Sequence, residues 1–412
     1  MTTTRLLRRL ALAGAISVCG LPLHAAEDPH AGHMHDAAAA PEPSAAGWTH
    51  MIHGYAFLVV NEQGGPSGDR DFESVNHLMV SFGHALWGGE VSLLGTFSLE
   101  PVTVPPEGSP LLFQRGETYQ GVLLIDRQHA HDMFMELAVA WDRALSKSVS
   151  FRAYVAPVGE APVGPTAYTH RLSASAIPSA PLSHHNLDST HLTADVISAG
   201  FTFGMVTIEA GVFHGSEPGE NRFDIDGGPL DSYSGRVTVK PVDGLSLQVS
   251  AARREQPEAL EEGNQTRQTI SLMYEKQRPD GALAATIAWG RNLLPEDQVE
   301  RGTLVEGLWT FKRLHTVTAR FESVDRDVYE LVNKTVRPET VPPDRTIVDT
   351  LTLGWMEAIP WLKQLDLTAG VNLTGYRYES VLDPTYGSHP VSGKAFVRLT
   401  FPPASAGAHH HH

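Results

Sequence analysis

The clearest strand signal in this 412-residue chain is the stretch Gly244-Leu245-Ser246-Leu247-Gln248-Val249-Ser250-Ala251-Ala252-Arg253-Arg254. Apolar residues take every second position from Leu245 to Ala251, and mostly polar residues take the positions between them. Because successive side chains of a strand point to opposite faces, one face of this segment suits lipid and the other suits water. The same alternation recurs at 133–142, 149–155 and 365–374. Segments of about ten such residues, separated by turn residues, are typical of a transmembrane β-barrel.

Sixteen segments of this kind can be placed along the chain. They are 50–61, 70–82, 88–100, 133–144, 148–157, 191–202, 204–214, 231–241, 244–254, 266–276, 281–291, 301–313, 315–325, 348–358, 363–378 and 392–401. The fold class predicted is therefore all-β: a transmembrane antiparallel up-and-down β-barrel of about 16 strands, preceded by a disordered N-terminal tail.

The lengths of the connections support a barrel over a soluble sandwich. Each even strand is joined to the next by a short turn, such as Trp87-Gly88-Gly89, whereas each odd strand is followed by a longer connection, including 101–132, 158–190 and 326–347. Outer-membrane barrels have short periplasmic turns and long exterior loops. The pattern predicts a bacterial outer-membrane location with both termini in the periplasm.

Tryptophan positions give a separate indication of the same orientation, since amphipathic rings collect at membrane interfaces. Five tryptophans fall near the short-turn ends of their predicted strands and predict a periplasmic girdle: Trp87, Trp141, Trp309, Trp355 and Trp361.

The chain divides into four parts. Residues 1–26 combine a basic start, an apolar run and small residues before Glu27, which is typical of a cleaved signal peptide. Residues 27–47 form a His/Ala/Pro-rich periplasmic tail that we expect to be disordered, 48–401 form the barrel, and 402–412 are a C-terminal extension that ends in an apparent His tag. The single cysteine, Cys19, lies in the signal peptide, so we expect no disulfide in the mature chain.

The charge composition of the chain limits the kinds of molecule that it is expected to bind. The chain has 47 acidic against 31 basic residues, which argues against nucleic-acid binding because that requires clustered Lys and Arg. The expected partners are outer-membrane lipid and either small solutes or metal ions, with the oligomeric state left open. No enzymatic activity is expected.

The water-facing positions of the predicted strands carry many charges. The residues predicted to line the lumen are Glu136, Asp142, Arg152, Arg236, Arg254, Arg320 and Arg398. Such charges are costly in a dry core but not in a wet lumen. They indicate either a channel that selects small polar solutes or ions, or a solvated interior with paired charges. A porin-like channel is the first function predicted.

Histidines and acidic residues of two long connections suggest an alternative function, metal binding in uptake or resistance. The candidate ligands are His129, His131, Asp132, His184, His185, Asp188 and His191, on connections predicted to be exterior. Imidazole and carboxylate suit Zn, Cu or Ni, and Cu or Zn is the metal expected here. The spacing matches no specific zinc motif, and these histidines could instead hydrogen-bond loops folded into the barrel mouth.

The tail holds a second candidate metal site. Imidazole and thioether groups together suit copper, and they come from His30, His33, Met34 and His35.

Three motifs resemble an uncharacterised family of Gram-negative outer-membrane barrel proteins associated with heavy-metal handling. They are Pro110-Leu-Leu-Phe-Gln-Arg-Gly-Glu-Thr-Tyr119, Asp126-Arg-Gln-His-Ala-His-Asp132 and Asp188-Ser-Thr-His191. The resemblance extends over about 106–260. It implies the barrel fold and a connection with metals, and implies no catalytic residue.

A barrel hydrolase is a remote third possibility, because Asp188, Ser189 and His191 lie close together in sequence. Residues two apart on a strand share a face without facing each other, which makes a catalytic triad here unfavourable.

Overall fold

The computed structural model describes residues 47–360 and 366–401. Sixteen antiparallel strands close into one barrel. Its strands are β1 (Thr49–Glu62), β2 (Arg70–Leu86), β3 (Gly89–Phe97), β6 (Phe134–Ala144), β7 (Val149–Gly159), β8 (Thr193–Phe203), β9 (Val206–Phe213), β10 (Ser232–Val242), β11 (Leu245–Arg254), β12 (Gln265–Arg278), β13 (Gly281–Leu293), β14 (Val299–Phe311), β15 (His315–Asp327), β16 (Arg345–Ala358), β17 (Asp366–Arg377) and β18 (Val391–Phe401).

Each barrel strand pairs with its neighbour in the chain, except that β3 pairs with β6 and β18 returns to pair with β1. The closing pair runs from Gly54 opposite Phe401 to Glu62 opposite Gly393. Closure leaves no strand edge with unpaired backbone groups, which is the requirement for a sheet surrounded by hydrocarbon. The predicted all-β barrel of sixteen strands is confirmed.

The strand β11 has the two faces that its sequence predicts. Leu247 and Val249 are 44% and 48% exposed on the outside of the barrel, whereas Ser246 and Gln248 are each 3% exposed on the inside. The turn before β11 ends at Gly244, whose φ of +75° is in the left-handed region, and a Cβ there would lie 2.1 Å from the Glu275 carbonyl oxygen. Glycine at this position therefore permits the short turn that sets the register of the strand.

Strand β6 departs from the predicted alternation. The alternation at 133–142 that places Glu136 in the lumen predicts Met135 on the outer face, but Met135 is 2% exposed and packs inside with Val158 and Leu192. The register of β6 shifts against β3 beside Phe97 and against β7 beyond Leu137. A bulge of this kind inserts an extra residue and reverses the faces locally.

The short connections all lie at one end of the barrel, here called the short-turn end, and the long connections lie at the other, the long-loop end. Trp87, Trp141, Trp309 and Trp355 lie in the turn or toward the strand ends at the short-turn end. Trp361 falls outside the described residues, as do the predicted signal peptide, nearly all of the predicted tail and the C-terminal extension.

Two long connections fold inward. Residues 98–133 contain α1 (Glu100–Thr103) and a hairpin of β4 (Ser109–Tyr119) and β5 (Val122–Gln128), which we call the mouth hairpin. Residues 160–192, which we call the inner loop, contain short 3-10 turns and α2 (His184–Leu187). The sequence predicted these connections but not their internal structure.

Two further short helices, α3 (Val328–Asn333) and α4 (Asp383–Tyr386), belong to other long connections. They meet the mouth hairpin in an apolar cluster, in which Phe113 stacks on Tyr386 with ring centroids 4.1 Å apart. This cluster covers part of the long-loop end. No helix among the described residues has the length and apolar character needed to cross a bilayer.

Candidate functional site

The charged residues predicted for the lumen lie on the inner face of the barrel. Arg236 donates from Nε to Glu209 at 2.8 Å and from Nη1 to Glu160 at 3.2 Å. Arg152 pairs with Asp142 at 2.8 Å. Most inner charges are thus already paired with other groups of the protein.

Three more of the residues predicted for the lumen have partners within the protein. Glu136 accepts a hydrogen bond from the Tyr154 hydroxyl at 2.8 Å, and Arg254 donates to Glu217 at 3.2 Å. Arg398 donates to the Ser175 carbonyl of the inner loop at 2.8 Å.

A buried ion-pair network holds the inner loop across the lumen. Arg171 of the loop donates to Glu306 of β14 at 2.9 Å and to Asp188 at 2.5 Å. Glu306 also accepts from Arg320 of β15 at 2.8 Å and from Ser173 at 2.9 Å. All four charged side chains are nearly inaccessible to solvent. Because a buried charge without a partner is costly, this network fixes one position of the loop.

Further hydrogen bonds extend the same attachment around the wall. Glu322 of β15 accepts hydrogen bonds from the backbone N–H and hydroxyl of Ser183 at 3.0 and 2.8 Å. The backbone N–H of Gly164 donates to Ser250 of β11 at 2.8 Å. Together with the contact between Ser175 and Arg398 of β18, these bonds attach the inner loop to the wall from β11 to β18.

Five histidines from the two inward connections meet at the long-loop end. The ring centroids of His131 and His191 are 5.5 Å apart. The ring centroid of His184 lies 5.2 Å from that of His191 and 5.3 Å from that of His185. His129 lies 6.1 Å from His185. The sequence placed these histidines on exterior connections; the structure keeps them at the predicted end but buries them, because both connections fold into the mouth.

Most of these histidines already have partners. His131 Nδ1 lies 2.9 Å from Glu100, and its Nε2 lies 3.2 Å from the Tyr168 hydroxyl. Burial opposes charge on both members of the first pair, but their attraction lowers the pKa of Glu100 and raises the pKa of His131. This pair fastens α1 to the segment that precedes β6.

His184 and His191 both lie beside Asp188. The Asp188 carboxylate is 2.8 Å from His184 Nδ1, and the Asp188 carbonyl oxygen is 2.9 Å from His191 Nδ1. Burial lowers the pKa of His184 to about 4 despite this carboxylate, and it lowers the pKa of His191 as well. Both imidazoles are consequently neutral near pH 7.

His129 and Asp132 belong to a second charged group at the mouth. Burial would raise the pKa of Glu117, but Arg222 and His129 lower it to about 2. Arg222 also pairs with Asp132 at 3.2 Å, although burial raises the pKa of Asp132 to about 7. His129 Nε2 lies 2.9 Å from Glu117. These contacts join the mouth hairpin to the connection after β9.

The remote hydrolase arrangement is not formed. Ser189 accepts a hydrogen bond from Arg267 at 2.9 Å, and His191 contacts the backbone rather than the side chain of Asp188. Among the described residues, no hydrogen bond joins Ser189 to His191.

The candidate metal ligands do not converge as one set. Of the described residues, one group of three or more His, Cys, Asp or Glu side chains has its ligating atoms within 4.8 Å of one another, and it consists of His185, Glu217 and Glu258. His185 was predicted from the sequence. Glu217 and Glu258 were missed, because nothing in the sequence shows that the connections after β9 and β11 meet the inner loop. The tail candidates His30, His33, Met34 and His35 lie outside the described residues.

Two polar cavities flank the inner loop. One lies against β16 to β18 and is lined in part by Thr352, Asn372, Tyr376 and Lys394. The Lys394 ammonium is buried and has no hydrogen-bond partner among the described residues.

The other cavity lies against β9 to β12, and its lining includes Glu209, Arg236, Lys240 and Gln248. The lumen is therefore divided by the inner loop and is not one open pore.

No family model matches the chain, and no curated protein matches it. The resemblance to a metal-associated barrel family therefore stays a prediction.

Solved structures with a similar fold include the anion-selective porin from Comamonas acidovorans, which is 11% identical, with 86% of this chain and 100% of that chain covered and a TM-score of 0.52. Others are Salmonella typhi OmpF in complex with daunomycin (8% identical, 85% and 97% covered, TM-score 0.49) and outer-membrane expressed OmpT of Vibrio cholerae (10% identical, 86% and 98% covered, TM-score 0.46). At 11% identity, the likeness to the Comamonas porin shows a shared barrel fold.

Proposed function

We propose that this protein is a porin-like channel of the bacterial outer membrane that passes small polar solutes or ions. The closed barrel has an apolar outer face and a polar inner face, which is the arrangement that separates lipid from a hydrated passage. Its fold is shared with a porin whose name describes it as anion-selective.

The observation that carries this proposal is the pair of polar cavities beside the inner loop. An interior packed like a dry protein core would leave few spaces larger than a water molecule against the wall. The proposed route passes along the inner loop, which narrows the lumen and restricts it to small solutes. Polar and charged side chains along the two cavities would then select among solutes.

Single-channel recording in planar bilayers tests the proposal. Purified, detergent-folded protein should produce discrete conductance steps, and a chain in which 166–182 is replaced by a short Gly/Ser linker should produce larger steps. Replacement removes Arg171 and the loop segment that crosses the lumen, whereas the strand ladder is retained. Inserted protein that passes no ions in either form would refute the channel.

Lys394 provides a finer test of the route. If ions pass through the cavity that this side chain lines, Lys394→Met should shift the reversal potential in a salt gradient toward cation preference. Lys276→Met is the matched control, because Lys276 is exposed at the short-turn end of β12. Equal reversal potentials for both variants and the unmodified chain would place the route elsewhere.

A further inference from the structure

His185, Glu217 and Glu258 come from three separate connections at the long-loop end. His185 lies in α2 of the inner loop, Glu217 follows β9, and Glu258 follows β11. Their ligating atoms all lie within 4.8 Å of one another. Convergence of one imidazole and two carboxylates from elements distant in sequence is a geometry that a metal ion would complete.

Several of the polar atoms in this group are buried without a partner. Both ring nitrogens of His185 and the Oε2 atom of Glu217 are inaccessible and make no hydrogen bond among the described residues. The Glu217 side chain is 9% exposed, and its Oε1 atom lies 3.6 Å from His185 Nδ1, which is too long for a hydrogen bond. A buried polar atom without a partner is destabilising, so this group favours a compensating ligand.

One carboxylate oxygen of the group is available to a ligand. Two carboxylates face one imidazole, and the Arg254 guanidinium contacts Glu217 Oε1 at 3.2 Å but leaves Oε2 without a hydrogen-bond partner among the described residues. A divalent ion between the three side chains would bind the unpartnered atoms of both His185 and Glu217.

The position of His185 is fixed from outside the group. Its carbonyl oxygen accepts hydrogen bonds from Arg267 at 2.6 Å and from Asn292 at 3.0 Å. Its ring lies against Gly116 of the mouth hairpin, where a Cβ would meet the imidazole at 2.4 Å. A ligand held in this way loses little conformational freedom on binding, which favours a specific site.

We propose that His185, Glu217 and Glu258 bind one divalent transition-metal ion, of which Zn²⁺ is the model, and that this ion ties the inner loop to the two neighbouring exterior connections. Imidazole with carboxylate oxygens is a ligand set that Zn²⁺ accepts, with water at a remaining position. The proposal is independent of conduction, because it requires only that the mouth be folded.

Calorimetric titration with ZnCl₂ of full-length, detergent-folded and chelator-treated protein tests the site. His185→Ala should lose one equivalent of bound Zn²⁺. Glu217→Gln and Glu258→Gln should each weaken that equivalent by at least about tenfold. Histidines of the tail and of the C-terminal run are present in every variant, so their contribution cancels in the comparison.

His214→Ala is the matched control. His214 lies on the same connection as Glu217, but it contacts Asp231 at 3.4 Å instead of the proposed ligands. This variant should retain the full stoichiometry. Glu258→Gln replaces a half-buried carboxylate with an amide of almost the same shape, so it tests the site even if His185→Ala fails to fold.

Co²⁺ provides a second readout. The visible absorption of bound Co²⁺ should differ in intensity between the unmodified chain and His185→Ala, as expected for loss of an imidazole ligand. Equal Zn²⁺ stoichiometry and affinity in the unmodified chain, His185→Ala and Glu258→Gln would overturn the proposal and would identify the group as an ion pair between His185 and Glu217.

Discussion

The barrel wall and the inner loop of this protein are stabilised in different ways. The wall is a closed ladder of backbone hydrogen bonds whose side chains alternate between two environments. The inner loop, residues 160–192, has only short helical turns and is held by side chains such as Arg171 that reach buried partners on the wall. The wall is therefore held mainly by its backbone ladder, whereas the position of the loop depends on a few buried charges.

The largest expected effect is on the inner loop. Arg171→Met removes the cation shared by Glu306 and Asp188 and leaves buried negative charge, which should destabilise the loop by about 3–5 kcal/mol. Amide hydrogen exchange should show loss of protection in 160–192. The unfolding midpoint of the wall should change little. Equal loss of protection in the strands would show that the two regions are not separate.

A charge on the outer face of the wall should have the next largest effect. Val249→Arg places a guanidinium near the middle of β11 on the outward face, which costs about 2–4 kcal/mol at the bilayer midplane. Denaturant unfolding in liposomes measures this cost. The control is Ser246→Arg on the lumen face of the same strand, which should be milder. An equally large loss of unfolding free energy for Ser246→Arg would contradict the assignment of Val249 to the lipid face and Ser246 to the lumen face.

The attachment of α1 should depend on pH through the pair of Glu100 and His131. The pKa of His131 is raised above 6.5, so its stabilisation is complete below pH 6.5 and is lost as the pH rises through the folded-state pKa. The pKa of Glu100 is lowered below 4.5, so its stabilisation is complete above pH 4.5 and is lost as the pH falls through the folded-state pKa. Exchange protection of 98–104 should therefore be greatest between pH 4.5 and 6.5.

Glu100→Gln removes one charge of that pair and should flatten this pH profile. A profile that persists in Glu100→Gln would assign the pH dependence to other groups at the mouth.

The smallest effect is expected for an exposed pair of the wall. Arg377 pairs with Asp349 at the long-loop end, and its side chain is 85% exposed. Because solvent screens such a pair, Arg377→Met should change the unfolding free energy by less than about 0.5 kcal/mol. Denaturant unfolding of Arg377→Met and of Arg171→Met, measured under the same conditions, compares the contribution of an exposed arginine with that of a buried one. A large loss would show that the wall also depends on its ion pairs.

The sequence predicted the wall well, because strand pairing between neighbours requires only local alternation and short turns, as in β11. It failed at Met135, where a register shift that depends on the partner strands reverses the faces. The inner loop has no periodic pattern, so its path across the lumen was not predictable. Residue type alone indicated His185 as a candidate metal ligand. Glu217 and Glu258 become its neighbours only when the barrel closes.

The pairing of Arg171 with Glu306 also implies an order of events during folding. These residues are 135 positions apart, and Glu306 lies on β14, far beyond the strands that flank the loop. The loop cannot reach its final contacts until β14 and β15 have joined the growing sheet, because closing so long a chain segment requires the intervening strands to be in place. The ordering of residues 160–192 should therefore be a late step of assembly, and until then the interior of the nascent barrel is filled with water.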